Sequence, residues 1–364
     1  MILSNAVIII IIFTVYQKKT HKSKIIGGRM KKMKRKSVVI EAVVSILMCS
    51  VINDVSGVFF SSSDLTYWRC KFKQTFQCPD PDVTFYLYTS DIRRRIKIDL
   101  RDKWSLYNSG WNPNKKNVIV IHGFNGAENN RIMAILRNAY LMRGDFNVFM
   151  VDWSPLTVYP CYLSSLRNTR LVSQCTAQLY AHLTYSGASA YRIHCVGHSL
   201  GAHICGMISN HLTERQHKII GLDPAKPLID LFTMDEFRLT RDDADFVEVI
   251  HTNSGVYGEY PQIGHVDFSV NGGRMQPICT SQANIIQQSR CSHFKSICYY
   301  ALSLSKRRNM FLGVQCTETC DSVVLPSFSN RIDVIPMGLQ TPEWVRGSFY
   351  VAYEDPDNFC RFDG

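Results

Sequence analysis

Short apolar runs alternate with stretches of helical periodicity through the middle of the chain. Apolar residues at consecutive positions predict strands at 117–121, 147–151, 191–196, 217–222 and 245–251. Apolar residues at helical spacing predict helices at 128–142, 168–183 and 202–212. Strands without a polar face are typical of a parallel sheet that is covered on both sides. The pattern therefore predicts the α/β class, with a mostly parallel central sheet and helices on both faces.

One junction between a predicted strand and a predicted helix carries a serine between two glycines. The motif GHSLG occupies 197–201, directly after one strand and directly before a helix. The glycines allow a strained turn that lifts the Ser199 hydroxyl above the sheet edge, and the helix N-terminus offers free N–H groups to an oxyanion. A tight turn with an incidental serine is the alternative. The position of the motif favours a nucleophile.

A nucleophilic serine needs a base and an acid that orients the base, in the chain order Ser, Asp, His for α/β-hydrolases. Asp223 directly follows the next strand, whereas Asp152 precedes Ser199 and is disfavoured by that order. Three candidate bases follow Asp223 along the chain: His251, His265 and His293. His293 is favoured because it falls on an expected loop tethered by a disulfide, but spacing alone leaves the other two open.

The tetrahedral intermediate of such a reaction needs two preorganised N–H donors. Leu200, the residue after the serine, supplies one of them. The loop after the strand at 117–121 is the natural source of the second, and its sequence, HGF at 122–124, ends at Phe124. We therefore expect the main-chain N–H groups of Phe124 and Leu200 to form an oxyanion hole.

Charge is concentrated at the start of the chain. Of 41 Lys and Arg against 30 Asp and Glu in 364 residues, ten basic and no acidic residues lie in the first 37. A basic block, an apolar run and then small polar residues predict a leader with a signal peptide at 1–56, with Met30 or Met33 as alternative starts and a membrane anchor as the alternative role. Without it the chain has 31 basic and 28 acidic residues. We expect secretion, a single catalytic domain at 57–364, and no nucleic-acid partner.

Twelve of the 13 cysteines follow the leader, an even number that is typical of extracellular disulfides. A zinc site is not expected, because Cys316 and Cys320 have no second pair at the required spacing. Near the serine, Cys195 and Cys205 could be free thiols, or Cys175 could pair with Cys205. The remaining cysteines without a predicted partner are Cys70, Cys78, Cys161, Cys298, Cys316, Cys320 and Cys360.

Ten motifs in family order make the chain similar to the pancreatic lipase family, and within it to the insect phospholipase A1 group that includes hymenopteran venom enzymes. They are VIVIHGF at 118–124, VDW at 151–153, NTRLV at 168–172, GHSLGAH at 197–203, GLDPAKP at 221–227, VIHTN at 249–253, GHVDF at 264–268, NGG at 271–273, QPIC at 276–279 and CSH at 291–293. The resemblance implies an α/β-hydrolase fold. It assigns the nucleophile to Ser199, the acid to Asp223, the base to His293 and the oxyanion donors to Phe124 and Leu200.

The same resemblance implies a lid closed by a disulfide between Cys279 and Cys291. This lid encloses only 11 residues, and the loop after His251 is also short. In the family this combination goes with phospholipase A1 activity, the release of the sn-1 fatty acid of glycerophospholipids. A triacylglycerol or galactolipid lipase is the alternative enzyme, and a non-catalytic lipase-like protein of the yolk or lipid-carrier type is the alternative outside enzymes.

The partners and cofactors follow from the same resemblance. We expect a phospholipid membrane surface or lipid aggregate as substrate, a monomer, and no cofactor. Thr240 stands where the family places a calcium-binding carboxylate, so no required metal is expected. The chain ends soon after 348–351, and we expect no C-terminal β-sandwich domain and therefore no colipase.

Overall fold

The computed structural model describes residues 70–92, 94–229, 235–260, 262–305, 311–316, 320, 334–354 and 360. All of them fall in one compact unit. The predicted leader at 1–56 lies outside the described residues. None of the described helices combines the length and the apolar composition needed to cross a bilayer.

A single mixed sheet forms the centre of the described structure. Its strands are β1 (Thr84–Tyr88), β2 (Ile96–Ile98), β3 (Lys116–Ile121), β4 (Phe146–Asp152), β5 (Ile193–His198), β6 (Gln216–Leu222), β7 (Ala244–His251), β8 (Val266–Val270), β9 (Leu312–Gln315), β10 (Val334–Pro336) and β11 (Gly347–Val351). Their order is β10-β9-β11-β8-β7-β6-β5-β3-β4-β1-β2. The pairings from β4 through β3, β5, β6, β7 and β8 to β11 are parallel, and antiparallel strands stand at both edges.

Helices cover both faces of this sheet. They are α1 (Arg131–Arg143), α2 (Tyr162–Tyr185), α3 (Leu200–Met207) and α4 (Ile285–Ser303). Successive residues of β3 enter different cores: Ile119 and Ile121 pack with α2 and α3, whereas Val118 and Val120 pack with α1 and α4. Burial on both sides explains the uninterrupted apolar runs, because a strand without a solvent face has no position for a polar residue.

The predicted α/β class and the mostly parallel sheet are confirmed. The five predicted strands lie within two residues of their observed bounds at every end, and the helix predicted at 168–183 begins earlier, at Tyr162. The prediction that His293 falls on a loop is wrong, because α4 begins at Ile285 and carries His293 two residues after Cys291. Polar residues interrupt the apolar spacing of α4, so its periodicity did not indicate a helix.

The twelve cysteines after the leader form six disulfides: Cys70–Cys161, Cys78–Cys175, Cys195–Cys205, Cys279–Cys291, Cys298–Cys360 and Cys316–Cys320. Both hypotheses for the cysteines beside the serine are therefore wrong. Cys175 pairs with Cys78, and Cys195 and Cys205 pair with each other across the serine turn. Cys195 ends up opposite Cys205 because β5 and α3 run side by side on either side of that turn.

Candidate active site

Ser199 occupies the sharp turn between β5 and α3. Its backbone has φ 57° and ψ −122°, a left-handed conformation that costs a non-glycine residue free energy. The flanking glycines permit the turn by close approach: a Cβ on Gly197 would lie 2.1 Å from the carbonyl oxygen of Gly201, and one on Gly201 would lie 2.3 Å from that of Ile121. The strained, tightly packed serine that the GHSLG motif predicts is therefore present in the fold.

Asp223 and His293 are brought together at the carboxyl end of the parallel strands. Asp223 follows the last residue of β6, and its Oδ2 accepts a hydrogen bond from His293 Nδ1 at 2.6 Å. The carboxyl group is fully buried and 8 % of His293 is exposed. This bond fixes the imidazole orientation and leaves Nε2 as the nitrogen available to other groups.

The second oxygen of Asp223 is held by the main chain after β7. Its Oδ1 accepts hydrogen bonds from the N–H groups of Thr252 and Asn253 at 2.9 and 3.0 Å. The Asp223 N–H in turn donates to the carbonyl of Ile250 at 2.8 Å. Both donors belong to the main chain, so this loop holds the acid in a fixed orientation.

The imidazole of His293 lies next to the serine turn. Its ring centroid is 4.5 Å from that of His198, the residue before Ser199, and His198 Nε2 donates to the His293 carbonyl at 3.2 Å. Burial, together with the neighbouring His293, lowers the pKa of His198 well below its ordinary value. His198 therefore stays neutral, and it packs beside His293 without repelling a positive charge there. The centroid of the Tyr257 ring lies 5.7 Å from that of the His293 ring.

The loop after β3 reaches the serine. A Cβ on Gly123 would lie 2.6 Å from Ser199 Cβ, so the main chain leading into Phe124 passes directly over the nucleophile position. The neighbouring loop is locked by Trp153, whose indole donates to the His122 carbonyl at 2.9 Å and whose ring stacks on the His122 ring. Leu200, the other expected donor, is the first residue of α3.

The rejected candidates occupy other environments. His251 donates through Nε2 to Asp267 at 2.8 Å, and both side chains are almost fully enclosed. His265 lies at the amino end of the sheet, where its Nδ1 accepts the N–H of Val247. Asp152 ends β4 near His122. None of the three meets Asp223 or Ser199 in the hydrogen bonds of the described residues.

The predicted lid is a short bridge into α4. Cys279 ends a 3-10 turn and pairs with Cys291 inside the helix, so part of the enclosed segment forms the first turns of α4. Ile285 and Ile286 are exposed at 60 % and 39 %. An apolar pair is therefore exposed on the disulfide-bonded segment that precedes the base.

Near Thr240, the residue at the expected calcium-binding position, the carboxylate of Asp243 is bonded within its own segment. Asp243 Oδ2 accepts the N–H of Thr240 at 2.7 Å in a reciprocal helix cap. Burial raises the pKa of Asp243 to about 6. Within the parts of the chain that the structure describes, no group of three or more His, Cys, Asp or Glu side chains is placed to hold a metal ion.

Some residues of the site were missed by sequence reasoning. His203, the last residue of the GHSLGAH motif, donates to the carbonyl of Ala225 at 2.7 Å and accepts the N–H of Leu239 at 3.0 Å. Burial lowers its pKa to about 4, which keeps it neutral. It ties the helix of the nucleophile to the loop after Asp223. Its motif was recognised, but only its place in the fold reveals this contact.

A parallel sheet with a serine on a strained strand–helix turn, and with an Asp–His pair at the same strand ends, defines the α/β-hydrolase fold. The sequence profile described as Lipase matches residues 60–322. The chain therefore belongs to the lipase family.

Its relatives include lipases and phospholipases. It is 35 % identical to Lipase member H-A of Xenopus laevis over 77 % of this chain and 64 % of the relative, and 33 % identical to Phospholipase A1 of Vespula squamosa over 68 % and 84 %. It is 29 % identical to Pancreatic triacylglycerol lipase of Mus musculus over 77 % of this chain and 65 % of the relative. The chain thus spans somewhat less than two thirds of the length of these two vertebrate relatives and most of the wasp protein.

Proposed function

We propose that this protein is a secreted serine hydrolase of carboxylic esters. The observation that carries the proposal is the 2.6 Å bond between Asp223 and His293 at the same strand ends as the strained Ser199. Membership of the lipase family supports ester chemistry. Six disulfides support an extracellular location.

In this mechanism Ser199 Oγ attacks the ester carbonyl while His293 Nε2 takes the hydroxyl proton. Asp223 keeps the imidazole in the tautomer that carries its proton on Nδ1, and stabilises the imidazolium that forms. The main-chain N–H groups of Leu200 and Phe124 stabilise the oxyanion. His293 then protonates the leaving alcohol, and water activated by the same imidazole releases the fatty acid from the acyl-enzyme.

For the substrate we propose glycerophospholipid, cleaved at the sn-1 ester. The short lid supports this preference, since it leaves room beside the scissile ester for a charged head group. The opposing loop is equally compact: it turns back at 253–258, where the N–H of Gly255 bonds the carbonyl of Gly258. The identity to Phospholipase A1 of Vespula squamosa points the same way.

A triacylglycerol lipase is the second candidate, favoured by the identity to Pancreatic triacylglycerol lipase of Mus musculus. Both candidates are tested with purified protein on phospholipid vesicles whose sn-1 and sn-2 chains differ in mass, beside triacylglycerol emulsions. We expect the sn-1 fatty acid to appear first and at the higher rate, and Ser199→Ala to release none. Initial release of the sn-2 chain, or faster hydrolysis of triacylglycerol, would overturn the phospholipase A1 assignment.

A further inference from the structure

One fully buried glutamine contacts both the loop that holds the acid and the helix that carries the base. Gln276 belongs to the QPIC motif, and its side chain is 0 % exposed. Its Nε2 donates to the carbonyls of Thr252 and Val270 at 3.0 and 2.9 Å, and its Oε1 accepts from Asn271 at 3.1 Å. Such an amide is costly to bury unless its bonds are made, and here both of its ends are satisfied.

The bond to Thr252 acts on Asp223 through one rigid unit. The carbonyl of Thr252 and the N–H of Asn253 belong to the same planar peptide and point in opposite directions. Gln276 holds the carbonyl end, and Asp223 Oδ1 accepts from the N–H end at 3.0 Å. Fixing one end of this peptide therefore fixes the direction of the bond at the other end.

The main chain of Gln276 contacts the residue next to the base as well. Its N–H donates to Ser292 Oγ at 2.9 Å, and Ser292 is fully buried directly before His293 on α4. One residue thus contacts the loop that holds the acid and the residue next to the base. Neither contact involves a group that would touch the substrate.

We propose that Gln276 is a positioning residue for the Asp223–His293 pair, acting through the peptide between Thr252 and Asn253. The inference rests on the proposed serine hydrolase function. It assigns to the QPIC motif a role in catalysis that a purely structural amide would not have.

The test compares two buried glutamines. Gln216, at the first residue of β6 and therefore at the sheet end opposite Asp223, also donates from Nε2 to a carbonyl and a hydroxyl, those of Cys205 and Ser209. Gln276→Met and Gln216→Met remove equivalent amides at the two ends. Each full-length variant is assayed on a soluble short-chain p-nitrophenyl ester, with near-ultraviolet circular dichroism verifying the fold.

For Gln276→Met we expect kcat to fall about 10- to 100-fold with KM within about twofold, because the acid and base lose alignment while substrate binding is untouched. For Gln216→Met we expect kcat within about twofold of the wild-type value. Equal kcat values for the two Met variants would overturn the inference. If the wild-type protein does not hydrolyse the ester, the proposed function is overturned, and this inference with it.

Gln276→Glu gives a readout that a structural role would not move, and it serves also if Gln276→Met fails to fold. A neutral glutamic acid can donate its O–H to the Thr252 carbonyl, whereas the carboxylate has no hydrogen to donate and repels that oxygen. Burial raises the pKa of such a glutamate. We therefore expect kcat relative to wild type to be highest at acid pH and to fall as pH rises. A ratio that stays constant from pH 5 to pH 8 would overturn the inference.

Discussion

Two histidine–aspartate pairs involve adjacent strands of the same sheet: Asp223 follows β6 and bonds His293 of α4, whereas His251 of β7 bonds Asp267 of β8. In both, one imidazole nitrogen bonds a carboxylate, at 2.6 Å for His293–Asp223 and 2.8 Å for His251–Asp267. Both carboxylates also accept two main-chain N–H groups; those on Asp267 come from Ile263 and Gly264. Local chemistry therefore does not distinguish the pairs.

The difference lies in what the second nitrogen of each imidazole meets. His293 is bonded through Nδ1, is partly exposed and packs beside the serine turn. His251 is bonded through Nε2 and is completely enclosed, and its Nδ1 has no hydrogen-bond partner among the described residues. A histidine–aspartate pair becomes a candidate base only when its free nitrogen can reach a nucleophile and substrate.

Matched substitutions give the largest expected contrast between the pairs. His293→Gln should lower kcat by about 10⁴-fold or more, since it removes the base. His251→Gln should keep kcat within about tenfold while costing about 2–4 kcal/mol of stability, because Asp267 is left buried with a weaker partner. Activity on a soluble ester and urea unfolding measure both. Similar losses of kcat in the two folded variants would remove the distinction.

Removing exposed apolar side chains from the helix that carries His293 should have a smaller effect on hydrolysis. Ile285→Ser with Ile286→Ser should lower hydrolysis of phospholipid vesicles about tenfold, because two exposed apolar side chains no longer enter the lipid. Activity on a soluble ester should not change. The matched control is Trp344→Ser, which removes an apolar residue that is 76 % exposed. The adjacent Glu343 pairs with His217 near the start of β6, at the sheet end opposite Asp223. An equal loss from the control would show that any exposed apolar side chain contributes.

A buried glutamate on β7, the strand that carries His251, should make the stability of the protein depend on pH. Burial raises the pKa of Glu248 on β7 to about 7 from 4.5, against the opposing effect of Lys218. The folded state then holds a proton that the unfolded state releases, so the free energy of unfolding falls as pH rises from about 4.5 to 7, by about 1–3 kcal/mol. Glu248→Gln should flatten that slope in chemical unfolding. An unchanged slope would contradict the raised pKa of Glu248. Activity per folded molecule should not change with this loss of stability.

The central strands and the serine turn could be predicted from the sequence because burial on both faces leaves a plain apolar signal. The two outermost strands at one side of the sheet, β10 and β9, are only three and four residues long, too short for a pattern to stand out. Helix α4 was missed because it buries polar side chains, among them Ser292, Ser296 and Lys295, which interrupt its apolar spacing.

The nucleophile followed from the GHSLG motif and the acid from chain order, but the base could not be chosen among three histidines by spacing alone. The choice came from the resemblance to a family. The N–H groups of Thr252 and Asn253 that hold Asp223 were not predictable, because every non-proline residue carries the same donor. Only the fold decides which main-chain donors face a carboxylate.

The account depends most directly on Ser199 being a nucleophile activated by His293. Mass spectrometry after treatment of the folded protein with an alkyl fluorophosphonate tests this claim. We expect one adduct, on the peptide that contains Ser199, in the wild-type protein and in His251→Gln, and none in His293→Gln. A folded wild-type protein that stays unlabelled, or that carries the adduct on another residue, would contradict the account.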